Sequence, residues 1–250
     1  MRYLVRNLLA LAVIGASFLD APSVLATENV KYSTATSQSG IDAEKIPAYH
    51  DRFHRSRPVI VVLGENSGTE LTDFVIPYGV LSQSGVAEVF AVSAQAGPIT
   101  MRPALRIQPQ LTVEQFDRRF PDGADYVIVP AMVKNDDPIV MAWITAQAGK
   151  GGTLMSICDG ALVMANAGVL RHHRATAHWA TQGLRAEKYP DTQWLKNVRY
   201  VSDGRVVSSA GISASMPVSL ALVEAIAGFN AADSLAKRLG VDDWSSQHDS

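Results

Sequence analysis

Short, unbroken aliphatic runs alternate along this chain with helix-length stretches, and that alternation restricts the fold more than any other feature. Val59-Ile60-Val61-Val62-Leu63 is apolar on both alternating sets of positions, so a strand there has both faces buried. Ala87 to Ala94, Tyr126-Val127-Ile128-Val129 and Thr153-Leu154-Met155-Ser156-Ile157 read as further strands. Between them, Glu70 to Gln83, about Asp136 to Ala148, and Asp159 to about Gly168 read as helices. Buried strands joined through helices predict an α/β three-layer sandwich around a mostly parallel sheet.

Beyond Gly168 the pattern changes. Arg174 to Ala177 reads as extended and Thr181 to Lys188 as helical, while Val198 to Ser209 reads as a hairpin turning at Asp203-Gly204. Pro217 to Gly228 is the last strong helix, and Ala231 to Leu239 a shorter one ended by Gly240.

The start of the chain has the form of an export signal. Arg2 and Arg6 flank its beginning, Leu8 to Leu19 is almost wholly apolar, and Val24-Leu25-Ala26 offers small residues for cleavage. The apolar run is shorter than the roughly 20 residues that span a bilayer. A signal peptide over 1–26 is therefore expected, with no stable membrane anchor after cleavage and a periplasmic or secreted mature protein beginning near Thr27. Residues 27–57 are polar, Ser- and Thr-rich and aperiodic, and read as a flexible leader to a single domain over 58–250. A net charge of −2 gives no electrostatic case for binding nucleic acid or an anionic membrane.

Chemistry concentrates at the only cysteine. Cys158 ends a strand and opens a helix, where unpaired N–H groups can favour thiolate over thiol, although a lone cysteine also packs well as a small hydrophobe. Ligands in open α/β sheets bind beyond the carboxyl ends of the strands, and Cys158 belongs there. Asp73, following the first strand, can bond the sulfur when protonated or take its proton when ionised; it can equally be an ordinary helix-start carboxylate. His178 follows another extended run and can serve as base to a thiol. Metal-ligand spacing is missing from the His, Cys and carboxylate positions, so neither a metal nor another cofactor is expected.

Three segments resemble the ThiJ/PfpI superfamily, which has the class I glutamine amidotransferase-like fold. They are Ser156-Ile157-Cys158-Asp159-Gly160-Ala161-Leu162-Val163, Ala167-Gly168-Val169-Leu170, and Arg174-Ala175-Thr176-Ala177-His178-Trp179. Asp73-Phe74-Val75-Ile76-Pro77 resembles the family segment whose acidic residue touches the nucleophile, and Gly211-Ile212-Ser213-Ala214 its GISA stretch. The nearest likeness is to isocyanide hydratases and to the ligand-sensing part of AraC-type regulators.

The resemblance implies a flavodoxin-like sandwich with a nucleophile elbow, a homodimer, and Cys158, His178 and Asp73 as the catalytic set. Those regulators continue into a helix-turn-helix domain and this chain ends at Ser250, so direct DNA binding is not expected. The chain also departs from the pattern. Ser156 replaces the first glycine of G-x-C-x-G, and Asp159 follows the nucleophile, where its charge opposes thiolate. Ala131-Met132 stands where two glycines commonly help form an oxyanion hole, leaving mainly the Asp159 N–H as donor. Two functions result: a cysteine-dependent hydratase, hydrolase or glyoxalase-like lyase acting on a small electrophile, or a ligand-binding or redox-sensing module without turnover.

Overall fold

The computed structural model describes residues 44–241 and Trp244. The expected signal peptide, and the leader as far as residue 43, lie outside the described residues. The strands are β1 (Val59–Gly64), β2 (Thr69–Glu70), β3 (Glu88–Ser93), β4 (Ile99–Arg102), β5 (Leu105–Ile107) and β6 (Leu111–Thr112), then β7 (Tyr126–Val129), β8 (Thr153–Ser156), β9 (Arg174–Ala175), β10 (Gln193–Trp194), β11 (Tyr200–Asp203) and β12 (Val206–Ser209). The helices are α1 (Leu71–Ser84), α2 (Val113–Arg119), α3 (Pro138–Gly149), α4 (Gly160–Asn166), α5 (Gln182–Lys188), α6 (Ser215–Ala227) and α7 (Phe229–Arg238).

Seven strands form the main sheet in the order β11-β12-β8-β7-β1-β3-β6. Every pairing in it is parallel except the β11–β12 hairpin, which turns at Gly204 with φ of +65°. Alternation along β1 divides the apolar residues between two cores. Ile60 and Val62 pack with Phe74, Ile128 and Leu222 on one side; Val61 and Leu63 pack with Phe116, Val127 and Ile144 on the other. Each fully buried aliphatic side chain contributes about 1.5–3 kcal/mol, so both layers of helices are held by burial against one shared sheet. The three-layer α/β sandwich expected from the sequence is the fold observed.

Short elements escaped the sequence reading. β2, β4 and β5 form a separate small sheet, and α2 begins with a Thr112–Gln115 capping box. β2 and β5, of two and three residues, are too short to show a hydrophobic period, and β4 has only two apolar residues, without the continuous run that marked β7. The helix expected from about Asp136 begins at Pro138, because the Asp137 carboxylate caps the Ile139 and Val140 N–H groups.

Residues 44–57, read from composition as part of a flexible leader, are held against the domain by polar contacts. Glu44 pairs with Arg199 at 2.9 Å, and the Tyr49 N–H donates to the Ala225 carbonyl at 2.8 Å. Arg55 reaches Asp125 at 2.8 Å, while the same carboxylate accepts the Val59 N–H at 2.9 Å. Ile46 is buried in the core and Tyr49 packs against it, but so few apolar residues in a polar segment give no periodic signal, and the other anchors are charges and backbone groups. Asp125→Ala removes the acceptor of the Val59 amide and the carboxylate paired with Arg55, leaving that guanidinium only the Gly123 carbonyl at 2.7 Å. It is expected to lower stability by about 3 kcal/mol in urea unfolding and to speed tryptic cleavage after Arg52 or Arg55. A loss below about 1 kcal/mol would show that these bonds do not hold the segment.

Candidate active site

Parallel pairing of β8 with β7 and β12 carries the chain to the carboxyl edge of the sheet, where it reverses sharply. Cys158 takes a left-handed backbone with φ of +56°, a conformation unfavourable by about 1–2 kcal/mol for an L-residue. The strained residue is the cysteine itself, so the turn fixes where the sulfur is presented. Gly160 makes the reversal possible, since a Cβ there would lie 1.9 Å from the Val129 carbonyl oxygen. Ser156, at the departed first glycine, is fully buried and its hydroxyl has no hydrogen-bond partner.

The thiol is not the acidic group expected from its place at a helix start. Cys158 is only 7% exposed. Burial pushes its pKa up to about 12, and the Asp73, Asp159 and Glu70 carboxylates act in the same direction; the Asp159 N–H bonded to the sulfur pulls against them. One amide at the start of the seven-residue α4 does not outweigh burial plus three acidic neighbours.

Asp73 sits in the first turn of α1 and is fully buried. Burial first, then the neighbouring Glu70, raises its carboxyl to about 8, so near neutral pH it is mostly protonated and uncharged. Its Oδ2 accepts the Ala131 N–H at 3.2 Å, while Oδ1 has no partner. That leaves Asp73 suited to donate a proton, the first of the two roles open from sequence.

The Ala131 N–H is engaged by Asp73, and its carbonyl accepts the Glu70 N–H at 2.8 Å. Met132 lies opposite Thr69 and its side chain joins the core. Both residues border a cleft of about 420 Å³ shared with Glu70, Arg102, Asp159 and Leu162. The Asp159 amide remains as the donor at the sulfur.

His178 caps the short 3-10 turn Trp179–Thr181, its Nδ1 accepting the Ala180 N–H at 3.3 Å. A neutral ring held this way carries its proton on Nε2, and so presents a donor, not a base. It packs beside the GISA stretch, where a Cβ on Gly211 would stand 3.4 Å from the ring Cδ2. Sequence reasoning missed Glu70, Thr181 and Arg185. Glu70 accepts the Asp73 N–H at 2.6 Å as the cap of α1. Thr181 donates to Asp159 Oδ1 at 2.7 Å, and Arg185 donates to Thr181 at 3.1 Å. The Glu70 cap was available from sequence, since an acidic residue three positions before Asp73 opens the helix. Among the described residues, no group of three or more His, Cys, Asp or Glu side chains is arranged to hold a metal ion.

A parallel sheet that delivers a strained cysteine onto a helix, beside a buried protonated acid, defines an α/β protein with a sharp strand-to-helix elbow at its cysteine. The DJ-1/PfpI family pattern matches residues 57–225, and the chain belongs to that family. It is 30% identical over 165 residues to an isonitrile hydratase of Pseudomonas putida, covering 64% of this chain and 68% of that one. It is 25% identical over 176 residues to the Parkinson disease protein 7 homolog of Danio rerio, covering 68% and 89% respectively. The crystal structure of Drosophila melanogaster DJ-1beta matches with a TM-score of 0.66 at 21% identity, over 74% of this chain and 98% of that one.

Proposed function

We propose that this protein is an exported enzyme that adds the Cys158 thiol across a carbon–nitrogen multiple bond, or another small electrophilic centre, in the manner of a hydratase. The observation carrying this reading is the pairing of a strained, elbow-borne Cys158 with an Asp73 that holds its proton near neutral pH. In the addition, a carbon–sulfur bond forms and one proton is placed on the substrate. Asp73 supplies that proton and is restored by the proton the thiol gives up. Water then displaces the sulfur and regenerates the thiol. The Asp159 N–H supports charge on the sulfur, and His178 donates from Nε2 toward the substrate.

Support for a small isonitrile as substrate is the 30% identity to a protein of that activity. Cys158→Ser is expected to lower turnover of a small aliphatic isonitrile at least ~1,000-fold, on the order found when a nucleophile is removed, with an unchanged unfolding midpoint. Activity persisting in that variant would eliminate the nucleophile.

The second reading is a ligand-binding or cysteine redox-sensing module. The observation favouring it is the engagement of the Ala131 amide by Asp73, which removes a donor that a reaction centre would use. Peroxide exposure followed by intact-mass measurement separates the two. Stoichiometric oxygen uptake at Cys158, with no turnover of isonitrile, aldehyde or glyoxal, supports sensing. The same measurement on exported material tests the signal segment, because a chain retaining Met1 to Ala26 contradicts cleavage. The family likeness is also the support for a homodimer, which sedimentation velocity tests.

A further inference from the structure

Arg185 is the only basic residue fully buried among the described residues, at 2% exposed, and it lies on a helix whose other side chains mostly face solvent. Among the described residues it has no direct carboxylate partner. Its Nη1 donates to the His178 carbonyl at 2.5 Å and to Thr181 Oγ1 at 3.1 Å, its Nε has no partner, and its guanidinium lies 5.3 Å from the centre of the Trp194 ring. Burying a cation this way is unfavourable unless a nearby charge balances it. The balancing charge lies one hydroxyl away, because Thr181 donates to Asp159 Oδ1 at 2.7 Å.

The single hydroxyl hydrogen of Thr181 has two acceptors within reach, Asp159 Oδ1 and, at 3.0 Å, the His178 carbonyl. Arg185 already donates to that carbonyl and to Thr181 itself. Its two bonds therefore direct the Thr181 hydrogen toward Asp159. Asp159 does not use its carboxylate to cap α4, and its backbone N–H serves the Cys158 sulfur.

We propose that Arg185, acting through Thr181, is a positioning residue: it fixes the Asp159 carboxylate at the start of α5 so that the elbow offers the sulfur an N–H donor, and it supplies the positive charge that offsets the acidic residues there. The inference rests on the reading of Cys158 as the working thiol. Besides Thr181 and Arg185, the groups that meet Asp159 are Cys158 beside it, Asp73 on α1, and Glu70 and Arg102 across the shared cleft. Among the described residues, only Arg185 places a buried cation on that set.

The test is the pH profile of Cys158 alkylation by iodoacetamide in the full chain, which reports one sulfur because there is one cysteine. Thr181→Val keeps the shape and the cation but cuts the link. It is expected to slow alkylation about tenfold at pH 8, equivalent to moving the profile up about one unit. Arg185→Met is expected to slow it at least as much, and Arg185→Lys to restore the rate to within about threefold of wild type. If Arg185→Met does not fold, Thr181→Val decides alone. A Thr181→Val profile coinciding with wild type overturns the relay, even if the variant melts earlier. A wild-type thiol that reacts only after denaturation is a different result: it removes the nucleophile reading and this inference with it.

Discussion

Gly160→Ala is expected to abolish the native elbow, costing at least about 3 kcal/mol of stability or preventing folding. A Cβ at that position would stand 1.9 Å from the Val129 carbonyl oxygen, 2.8 Å from its carbon and 3.0 Å from the Pro130 carbonyl carbon. All three obstacles are backbone, so no side-chain rotation relieves them. Nor can β7 withdraw, because the Val129 oxygen accepts the Ile157 N–H at 3.0 Å and Val129 pairs with Ser156 at the centre of the sheet. Urea unfolding at constant slope measures the effect, and a midpoint near wild type would show that the turn can relax. Gly211→Ala is the control. Its nearest contact is 3.4 Å from the His178 ring, an ordinary distance, and the expected change is under about 1 kcal/mol.

The second large effect is on the pH dependence of stability. The Asp73 carboxyl is raised from its ordinary 3.8 to about 8 in the folded protein. Between about pH 4 and pH 8, therefore, the native state holds a proton that the unfolded chain has released. Stability attributable to this residue is full below that window, falls as pH rises through it by up to about 1.4 kcal/mol per unit, and levels off above pH 8. Asp73→Asn mimics the protonated form, and its amide oxygen can still accept the Ala131 N–H. It should be more stable than wild type at pH 8 by about 2–4 kcal/mol, with the advantage shrinking toward pH 5. Urea midpoints from pH 5 to 8.5 check this, and parallel curves for the two proteins would show that Asp73 is ionised throughout. The same titration bears on activity, because an enzyme that needs this proton should lose turnover above about pH 8.

The ordering of these effects follows from what each residue opposes. Gly160 meets backbone that is locked into a parallel sheet, and Asp73 meets a dry interior with another carboxylate beside it. Asp159 is half-exposed and satisfied by Thr181, so its substitution acts mainly on the charge around the sulfur and less on the fold.

Much of the architecture was legible because buried parallel strands need continuous apolar runs. Val59–Leu63, Tyr126–Val129 and the strand before Cys158 could be read with their order and the helices between them. The elbow was also legible, since a cysteine between a strand and a glycine-led helix marks a sharp reversal at the carboxyl edge of the sheet. The small β2–β4–β5 sheet and the anchoring of residues 44–57 were not, because neither depends on an apolar period. Arg185 is the clearest case. Within Thr181 to Lys188 an arginine among polar neighbours reads as a solvated residue, and no local pattern announces that the helix turns it inward.

Local chemistry along the chain thus settled which segments become strands, where the turn falls, and that a single sulfur stands at its tip. Protonation states were settled only when distant segments met. Glu70 and Asp73 come from one part of the chain and Asp159 from another; burial first, and then repulsion among these carboxylates, holds a proton on Asp73 and raises the Cys158 thiol. Burial and charge proximity are properties of the assembled interior, and residues far apart in sequence carry no sign of them until the sheet brings them together.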